Sequence, residues 1–168
     1  VYAYSDTQNQ ELSYAETFSY AGGVIGIASE RVTIDDCRNT DKGIVRGQGT
    51  YTGGIVEVNQ GTIQNCTVGS MTGESFLGGI AGLNKGGRIE NCTLTGQMRG
   101  DSYLGGIVCR NEGEIVSCRV LPDDAQVSSV MGDGSYIGGI SAVNSGDKAS
   151  ITGWEIKGDI EGAGSFVG

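Results

Sequence analysis

Histidine is absent from this 168-residue sequence, and its absence removes several kinds of chemistry. Without an imidazole there is no Ser-His or Cys-His dyad, no histidine metal ligand and no histidine general base. Proline and tryptophan each occur once. No apolar run is long enough to span a bilayer, so we expect no membrane insertion. The composition therefore disfavours the commonest catalytic centres and a transmembrane protein.

Positive charge is also scarce. The chain has 11 lysine and arginine residues against 20 aspartate and glutamate residues, for a formal net charge of -9. An acidic surface repels nucleic acids and anionic membranes, so we expect neither as a partner. The sequence begins at Val1 without an initiator methionine or a secretion signal. We therefore expect a processed chain or a piece of a larger parent chain.

Glycine, by contrast, is abundant, and much of it falls in a repeated motif. An aromatic residue, one further residue, Gly-Gly and an aliphatic residue recur from five starting points: Tyr20, Tyr51, Phe76, Tyr103 and Tyr136. Phe166 begins a further copy, so we expect the stack to continue beyond it. Insertions at residues 41–48, 121–134 and 146–149 explain the unequal spacing. A self-similarity of this kind predicts a stack of equivalent units.

Further columns recur inside each repeat. Gly-Gly is followed by an aliphatic residue at Val24, Ile55, Ile80, Ile107 and Ile140. An Asn-x-Gly turn follows, in which both residues tolerate positive φ. An isoleucine comes next, and three residues later a cysteine or tryptophan occurs at Cys37, Cys66, Cys92, Cys118 and Trp154. The isoleucine and the cysteine have opposite strand parity, so the chain must bend between them. We place this corner at the residue before each cysteine or tryptophan, at Asp36, Asn65, Asn91, Ser117 and Gly153.

These columns predict an all-β fold with three short strands and three corners in each repeat. Stacked in register, the repeats form a parallel β-solenoid (β-helix) of about five to six coils, roughly triangular in section. The glycine content and the β-branched residues disfavour helices, and a β-sandwich is the structural alternative. We assign residues 20–168 to the repeats. Residues 1–19 lack the Gly-Gly signal and are predicted to form an N-terminal cap or a divergent coil.

The repeated motif resembles the GLUG repeat, most closely at residues 76–92. The resemblance extends over roughly residues 20–168. It implies an origin in the large bacterial secreted and cell-surface proteins, which include immunoglobulin A peptidases and adhesin-like chains. In such proteins the repeat resembles a spacer or a binding stalk, and the catalytic centre lies elsewhere. The sequence departs from the pattern at Glu57 and Cys109, where other copies have glycine, and at Trp154, which replaces cysteine.

The cysteines are the first candidate site. Four of them share one column, which favours a ladder of small apolar residues in the core. Disulfides between neighbouring coils would satisfy the required distance, but in-register side chains point the same way. A metal site is disfavoured because no CxxC spacing occurs and histidine is missing. Cys109 lies off the column and is predicted to be a lone thiol.

The aromatic column, the acidic pairs and the threonines are the other candidates. The aromatic rings could form a platform for sugars or a structural ladder that covers a corner, and the presence of phenylalanine favours the ladder. Acidic side chains could bind Ca²⁺ at Asp35, Asp36, Asp123, Asp124 and Asp133. None has the spacing of a calcium loop, so a solvated surface is favoured. An ice-binding face is rejected because the threonines do not align in every repeat, as at Thr62, Thr67, Thr93 and Thr95.

We therefore predict a non-catalytic structural or adhesin-like binding module of an extracellular bacterial protein. The prediction includes no catalytic, cofactor-binding or metal-ligating residues and no cofactor. The expected partner is a host or cell-surface glycan or protein, contacted through the loops at residues 41–48 and 121–134. The alternative is a lyase-like enzyme that acts on polysaccharides from the same scaffold. Such an enzyme needs a base and neutralising cations, and no recurring cluster of lysine, arginine and aspartate is present.

Overall fold

The chain forms a parallel β-solenoid. The computed structural model describes residues 2–3, 21–40, 45–47, 51–123 and 128–168, and these residues form strands and turns without a helix. Five stacked parallel sheets account for nearly all strands, and each coil that is described in full visits the five sheets in turn. A further parallel pair joins Tyr2–Ala3 to Arg46–Gly47. The predicted all-β solenoid is confirmed.

The five sheets are numbered in the order in which the chain visits them. Sheet 1 contains Ala21–Gly22, Thr52–Gly53, Leu77–Gly78, Leu104–Gly105 and Ile137–Gly138. Sheet 2 contains Ile25–Ala28, Val56–Asn59, Ala81–Asn84, Val108–Asn111 and Ser141–Asn144. Sheet 3 contains Thr33–Asp35, Thr62–Gln64, Arg88–Glu90, Glu114–Val116 and Ser150–Thr152. Sheet 4 contains Arg38–Asn39, Thr67–Val68, Thr93–Leu94, Arg119–Val120 and Glu155–Ile156. Sheet 5 contains Met71–Thr72, Met98–Gly100, Val130–Gly132 and Ile160–Gly162.

Each complete coil has five strands, not the three that the sequence predicted. Sheets 2, 3 and 4 correspond to the predicted strands, whereas sheets 1 and 5 were missed. Their strands are only two or three residues long, which is too short for an alternating pattern to be visible. Four sheets contain five strands and sheet 5 contains four, so the described residues form between four and five coils. This is slightly fewer than the five to six predicted.

Like residues stack on like residues along the core. Ile89 pairs in register with Ile63 below it and with Ile115 above it, and Leu77 pairs with Leu104. All five side chains are fully buried. Burial of each such side chain stabilises the fold by about 1.5–3 kcal/mol. Burial in the first described coil differs between columns: Ile34, which stacks on Ile63, is 4% exposed, whereas Val24, in the column after Gly-Gly, is 49% exposed.

The predicted corner before each cysteine is confirmed. The backbone there adopts a left-handed conformation, with φ between 49° and 64° at Asp36, Asn65, Asn91, Ser117 and Gly153. The same conformation occurs at aromatic residues, with φ between 56° and 62° at Phe76, Tyr103, Tyr136 and Phe166. Left-handed φ is unfavourable for most side chains, so these corners depend on the stacked coils that hold them.

The interpretation of the Asn-x-Gly turns was wrong for the asparagines. Among the described residues, positive φ occurs at Gly86 and Gly146, but at none of the four asparagines of these turns. Three of these asparagines are instead fully buried. Their side-chain amides form hydrogen bonds instead, because a short amide can satisfy a backbone carbonyl at the corner and a neighbouring coil at once.

Several predictions concern segments outside the described residues. These are the N-terminal cap at residues 1–19, apart from the paired strand Tyr2–Ala3, and the first aromatic position, Tyr20. The loop at residues 41–48 is described only at residues 45–47. The insertion at 121–134 was assigned as a loop throughout, yet Val130–Gly132 is a strand of sheet 5. The loop is therefore shorter than predicted, and its residues 124–127 are outside the description.

Candidate functional site

Asparagine side chains form a hydrogen-bonded ladder along the end of sheet 2. The Nδ2 group of Asn59 donates to Oδ1 of Asn84 at 2.9 Å, and Asn84 donates to Asn111 at 2.8 Å. Asn111 continues the series by donating to Asn144 at 2.8 Å. Asn84 also donates to the carbonyl oxygen of Gly87 at 3.0 Å. These amides join coil to coil. Their common position at the end of successive strands was the sequence signal for this ladder.

The cysteine column forms a second ladder. Structurally, all five cysteines are free thiols, and Cys37 is half-buried while the others are buried. The Sγ atom of Cys92 donates to the carbonyl oxygen of Glu90 at 3.3 Å, and that of Cys66 donates to Gln64 at 3.2 Å. Contacts with the Cys118 and Cys66 thiols, together with burial, raise the pKa of Cys92. The structure therefore agrees with a packed core ladder. Within the described ranges, no three His, Cys, Asp or Glu side chains come together as a metal site.

Stacked aromatic rings cover the corner before sheet 1. The ring centroids of Phe76 and Tyr103 are 4.7 Å apart, those of Tyr103 and Tyr136 are 4.6 Å apart, and those of Tyr136 and Phe166 are 4.9 Å apart. The planes are within 16° of parallel. Each inner ring therefore has both faces covered by neighbours. Sugars stack on open ring faces, so this arrangement favours the structural ladder over a sugar platform.

The two departures from glycine in sheet 2 lie next to this corner. A Cβ atom on Gly82 would lie 2.8 Å from the Cβ of Tyr51, so a glycine there makes room for the tyrosine. One coil later Cys109 lines a slot of about 180 Å³ beside Tyr51 and Phe76. Burial raises the pKa of Cys109 to about 12. This thiol is therefore neutral and unreactive at physiological pH.

Glu57 is a buried carboxyl group. It is 2% exposed, and its Oε2 atom has no hydrogen-bond partner. Burial raises the pKa of Glu57 to about 7. The sequence showed that Glu57 departs from the repeat, but it did not show that the position points inward. Close contact with the coil below creates that burial.

The predicted acidic sites are dispersed. Asp35 and Asp36 lie on the exposed corner beside sheet 3, where Asp35 accepts a hydrogen bond from Nδ2 of Asn65 at 2.9 Å. Hydrogen bonds from Asn65 and Gln64 hold the pKa of Asp35 below its usual value. Asp123 is exposed, and Asp124 is outside the described residues. Asp133 lies apart from these, in a groove on the outside of sheet 5.

This sheet 5 groove is an extended concave feature of the described residues. It has a volume of about 840 Å³ and crosses four coils. Its polar side chains come from sheet 5 and from the turn that follows it: Thr72, Arg99, Asp101, Asp133 and Glu161. Its apolar side chains are Met131, Ile160, Ala163 and Val167. Sequence reasoning missed the groove because it missed sheet 5.

Comparisons with known proteins identify one motif. Residues 75–97 match the family model of the GLUG motif, and this range contains the whole of the copy at residues 76–92 that carried the resemblance. The GLUG assignment is thus confirmed for that segment, and the chain is a GLUG-containing β-solenoid repeat module. No curated protein and no solved structure matches the chain. None of the described residues form a helix long and apolar enough to cross a membrane.

Proposed function

We propose that this chain is a non-catalytic structural and binding module of an extracellular bacterial protein. The observation that carries the proposal is the use of polar side chains in coil-to-coil contacts. The amide of Asn84 bonds the coils on both sides of it, and the thiol of Cys92 is buried and protonated. Catalysis requires polar groups that converge on a substrate, whereas these groups are distributed evenly along the stack.

The same contacts support a rigid role. Five parallel sheets hold each inner coil to both neighbours, and the amide, thiol and aromatic ladders reinforce them. Parallel strands are separated by about 4.8 Å, so length grows with coil number while the cross-section stays constant. A module of this kind suits a spacer that presents its sides to partners.

The extracellular and bacterial assignment rests on the GLUG motif and on the charge. The resemblance to GLUG repeats implies an origin in a large secreted or cell-surface protein. The net charge of -9 disfavours nucleic acid as a partner. Partner binding is proposed through the side surfaces, which include the sheet 5 groove. The insertion predicted at residues 121–134 contributes the strand Val130–Gly132 to that sheet.

The sheet 5 groove also favours a second candidate, a lyase-like enzyme that acts on polysaccharides. Lyases need cations to neutralise an anionic substrate and a base to remove a proton. The groove offers one guanidinium, on Arg99, beside the carboxylates of Asp101, Asp133 and Glu161. This excess of negative charge would repel an anionic substrate, so we rank the enzyme second.

The experiment combines turnover and binding. Purified protein is incubated with neutral and anionic polysaccharides, and products are followed by reducing-end assay and by the ultraviolet absorbance of unsaturated sugars. We expect no product from any substrate and saturable binding to at least one polysaccharide or surface protein. A polysaccharide cleaved at a rate that scales with protein concentration, and lost in Asp133→Asn, would replace the proposal with the enzyme.

A further inference from the structure

The sheet 5 groove has walls of different chemistry and a floor of backbone. Thr72, Arg99 and Glu161 stand on the outer face of sheet 5, and Asp101 and Asp133 stand on the turn that follows it. Between the two walls the floor is formed by glycines at equivalent positions of successive coils: Gly73, Gly100, Gly132 and Gly162. The groove therefore runs across the strands, along the axis of the solenoid.

The glycine floor is a consequence of core packing. A Cβ atom on Gly132 would lie 2.5 Å from Cδ1 of Ile137, and one on Gly162 would lie 2.6 Å from Cγ2 of Val167. The aliphatic residues of sheet 1 thus fill the space that side chains at these positions would need. The floor is therefore closely packed on its inner side, and it carries no side chain of its own.

The charged groups that line the groove are not neutralised by one another. On sheets 2 to 4, basic side chains form ion pairs, as Arg88 does with Glu114 and Arg110 does with Glu112. Among the described residues, Arg99, Asp101 and Asp133 make no such pair. Glu161 accepts a hydrogen bond from Ser128. Arg99 and the two aspartates are therefore available to an external ligand.

The floor discriminates between two classes of extended ligand. Its backbone groups are bonded between coils, as in the bonds from the Gly73 amide to the Arg99 carbonyl and from the Asp133 amide to the Gly100 carbonyl. An extended peptide lying along the groove would find few free backbone partners and would leave its own groups unsatisfied. A polysaccharide carries hydroxyl donors along its length, and carboxylates are acceptors that match them.

We propose that the sheet 5 groove binds an extended polysaccharide of neutral or amine-bearing sugars. Carboxylates of Asp101 and Asp133 accept hydrogen bonds from hydroxyl or ammonium groups, and the guanidinium of Arg99 donates to hydroxyl or ring oxygens. Met131, which shares the outer face of sheet 5 with Arg99 and Glu161, covers the apolar face of a sugar ring. The excess of carboxylates excludes uronic-acid polymers. This inference rests on the proposed binding role and names its site and ligand class.

The test is a titration of the intact chain, followed by NMR, with four probes at equal concentration. The probes are a neutral hexasaccharide, a deacetylated chitin hexasaccharide, a hexagalacturonate and an oligolysine peptide. We expect shift changes confined to sheet 5 and its following turn for at least one of the first two, and none for hexagalacturonate. Strong binding by oligolysine alone, removed by moderate salt, would assign the groove to basic peptides and overturn the proposal.

Variants locate the contact. Arg99→Gln and Asp133→Asn keep side-chain size, and each is expected to weaken binding roughly tenfold through one lost charge-assisted hydrogen bond. The matched control is Arg119→Gln, at an exposed position on sheet 4, which should leave the affinity unchanged. Thermal unfolding of each variant confirms folding. Absence of binding by all four probes overturns the groove site.

The two proposals fail in different ways. A sugar that binds equally to wild type, Arg99→Gln and Asp133→Asn would refute the groove and leave a binding module with its site elsewhere. A sugar that binds in the groove and is cleaved would confirm the site and refute the non-catalytic role. Binding without cleavage, weakened by both groove variants, supports both proposals.

Discussion

Asn84 donates a hydrogen bond of 2.8 Å to Asn111 on the next coil, and both side chains are fully buried. Asn84 also accepts one from Asn59, so it joins three successive coils. We expect Asn84→Ala to lower the free energy of unfolding by about 1–3 kcal/mol, because buried partners lose a hydrogen bond. Urea denaturation followed by circular dichroism measures the difference.

Asn144 is the control for this ladder. It occupies the same column but is exposed, and it is bonded on one side by Asn111. Asn144→Ala should change stability by less than about 1 kcal/mol. Equal effects of the two substitutions would show that the ladder does not stabilise the stack.

The aliphatic column after Gly-Gly should show the same dependence on coil position. Ile80 is fully buried and Val24 is 49% exposed, although both follow the same motif. Ile80→Ala is expected to destabilise the protein by about 2–5 kcal/mol through lost burial and a cavity. Val24→Ala should cost about 0.5 kcal/mol. Thermal and urea unfolding measure the stability of both variants. An unchanged melting temperature for Ile80→Ala would contradict the core assignment.

The left-handed corners predict a difference between two substitutions at one residue. Asn91 is exposed and has a φ of 52°. Asn91→Val should destabilise the fold by roughly 1–2 kcal/mol, since a β-branched residue disfavours this conformation. Asn91→Gly should be close to neutral, because the equivalent corner of the last coil already has Gly153. Similar melting temperatures for the two variants would contradict the backbone assignment.

Thiol reactivity should follow burial. Cys37 is half-buried, whereas the other four cysteines are buried. We expect a thiol reagent to modify Cys37 first and the remaining four only after denaturation, because burial blocks access of the reagent. Mass spectrometry at timed intervals counts the modified thiols, and Cys37→Ser identifies the fast site. Rapid modification of all five in the folded protein would refute the ladder, and a mass two or more hydrogens lower would reveal disulfides.

Glu57 predicts a pH dependence of stability. Burial raises the pKa of Glu57 from 4.5 to about 7. Between pH 4.5 and pH 7 the folded state therefore keeps a proton on this carboxyl group that the unfolded state has released. This contribution to stability is complete below pH 4.5 and is lost as the pH rises through 7. We expect Glu57→Gln to stabilise the protein at pH 8, by on the order of 2 kcal/mol, and to change little at pH 4.

Differential scanning calorimetry at several pH values measures this effect. The melting temperature of wild type should fall between pH 5 and pH 8 relative to that of Glu57→Gln. The exposed Glu30→Gln is the control, and its curve should run parallel to that of wild type. If the melting temperatures of Glu57→Gln and wild type changed in parallel with pH, the Glu57 carboxyl would be solvated and its ionisation would not destabilise the fold.

Much of the fold could be predicted from local columns. The parity difference between Ile89 and Cys92 required a corner, and the structure has that corner at Asn91. The regular return of Gly-Gly and an aliphatic residue required stacked coils, which the register of Leu77 on Leu104 confirms. These features are readable because they depend only on alternation within a strand and on which residues tolerate a turn.

The groove and the buried carboxyl could not be predicted in this way. Sheet 5 begins after segments of unequal length, and its strands are too short for a pattern, so the alignment of Arg99 with Met131 is visible only in space. The inward direction of Glu57 likewise depends on the coil packed below it. The asparagine ladder was present in the sequence as a column, but its explanation by turn preference was wrong.

The sequence by itself determined that the chain is an acidic, histidine-free stack of parallel coils with repeated corners. That conclusion rests on residue identity and periodicity, which act locally and repeat. The tertiary structure alone decided which polar groups bond between coils, which thiols are buried, and where an open groove crosses the stack. These outcomes depend on distances between residues about one coil apart, such as the 2.8 Å from Asn84 to Asn111, which no single repeat contains.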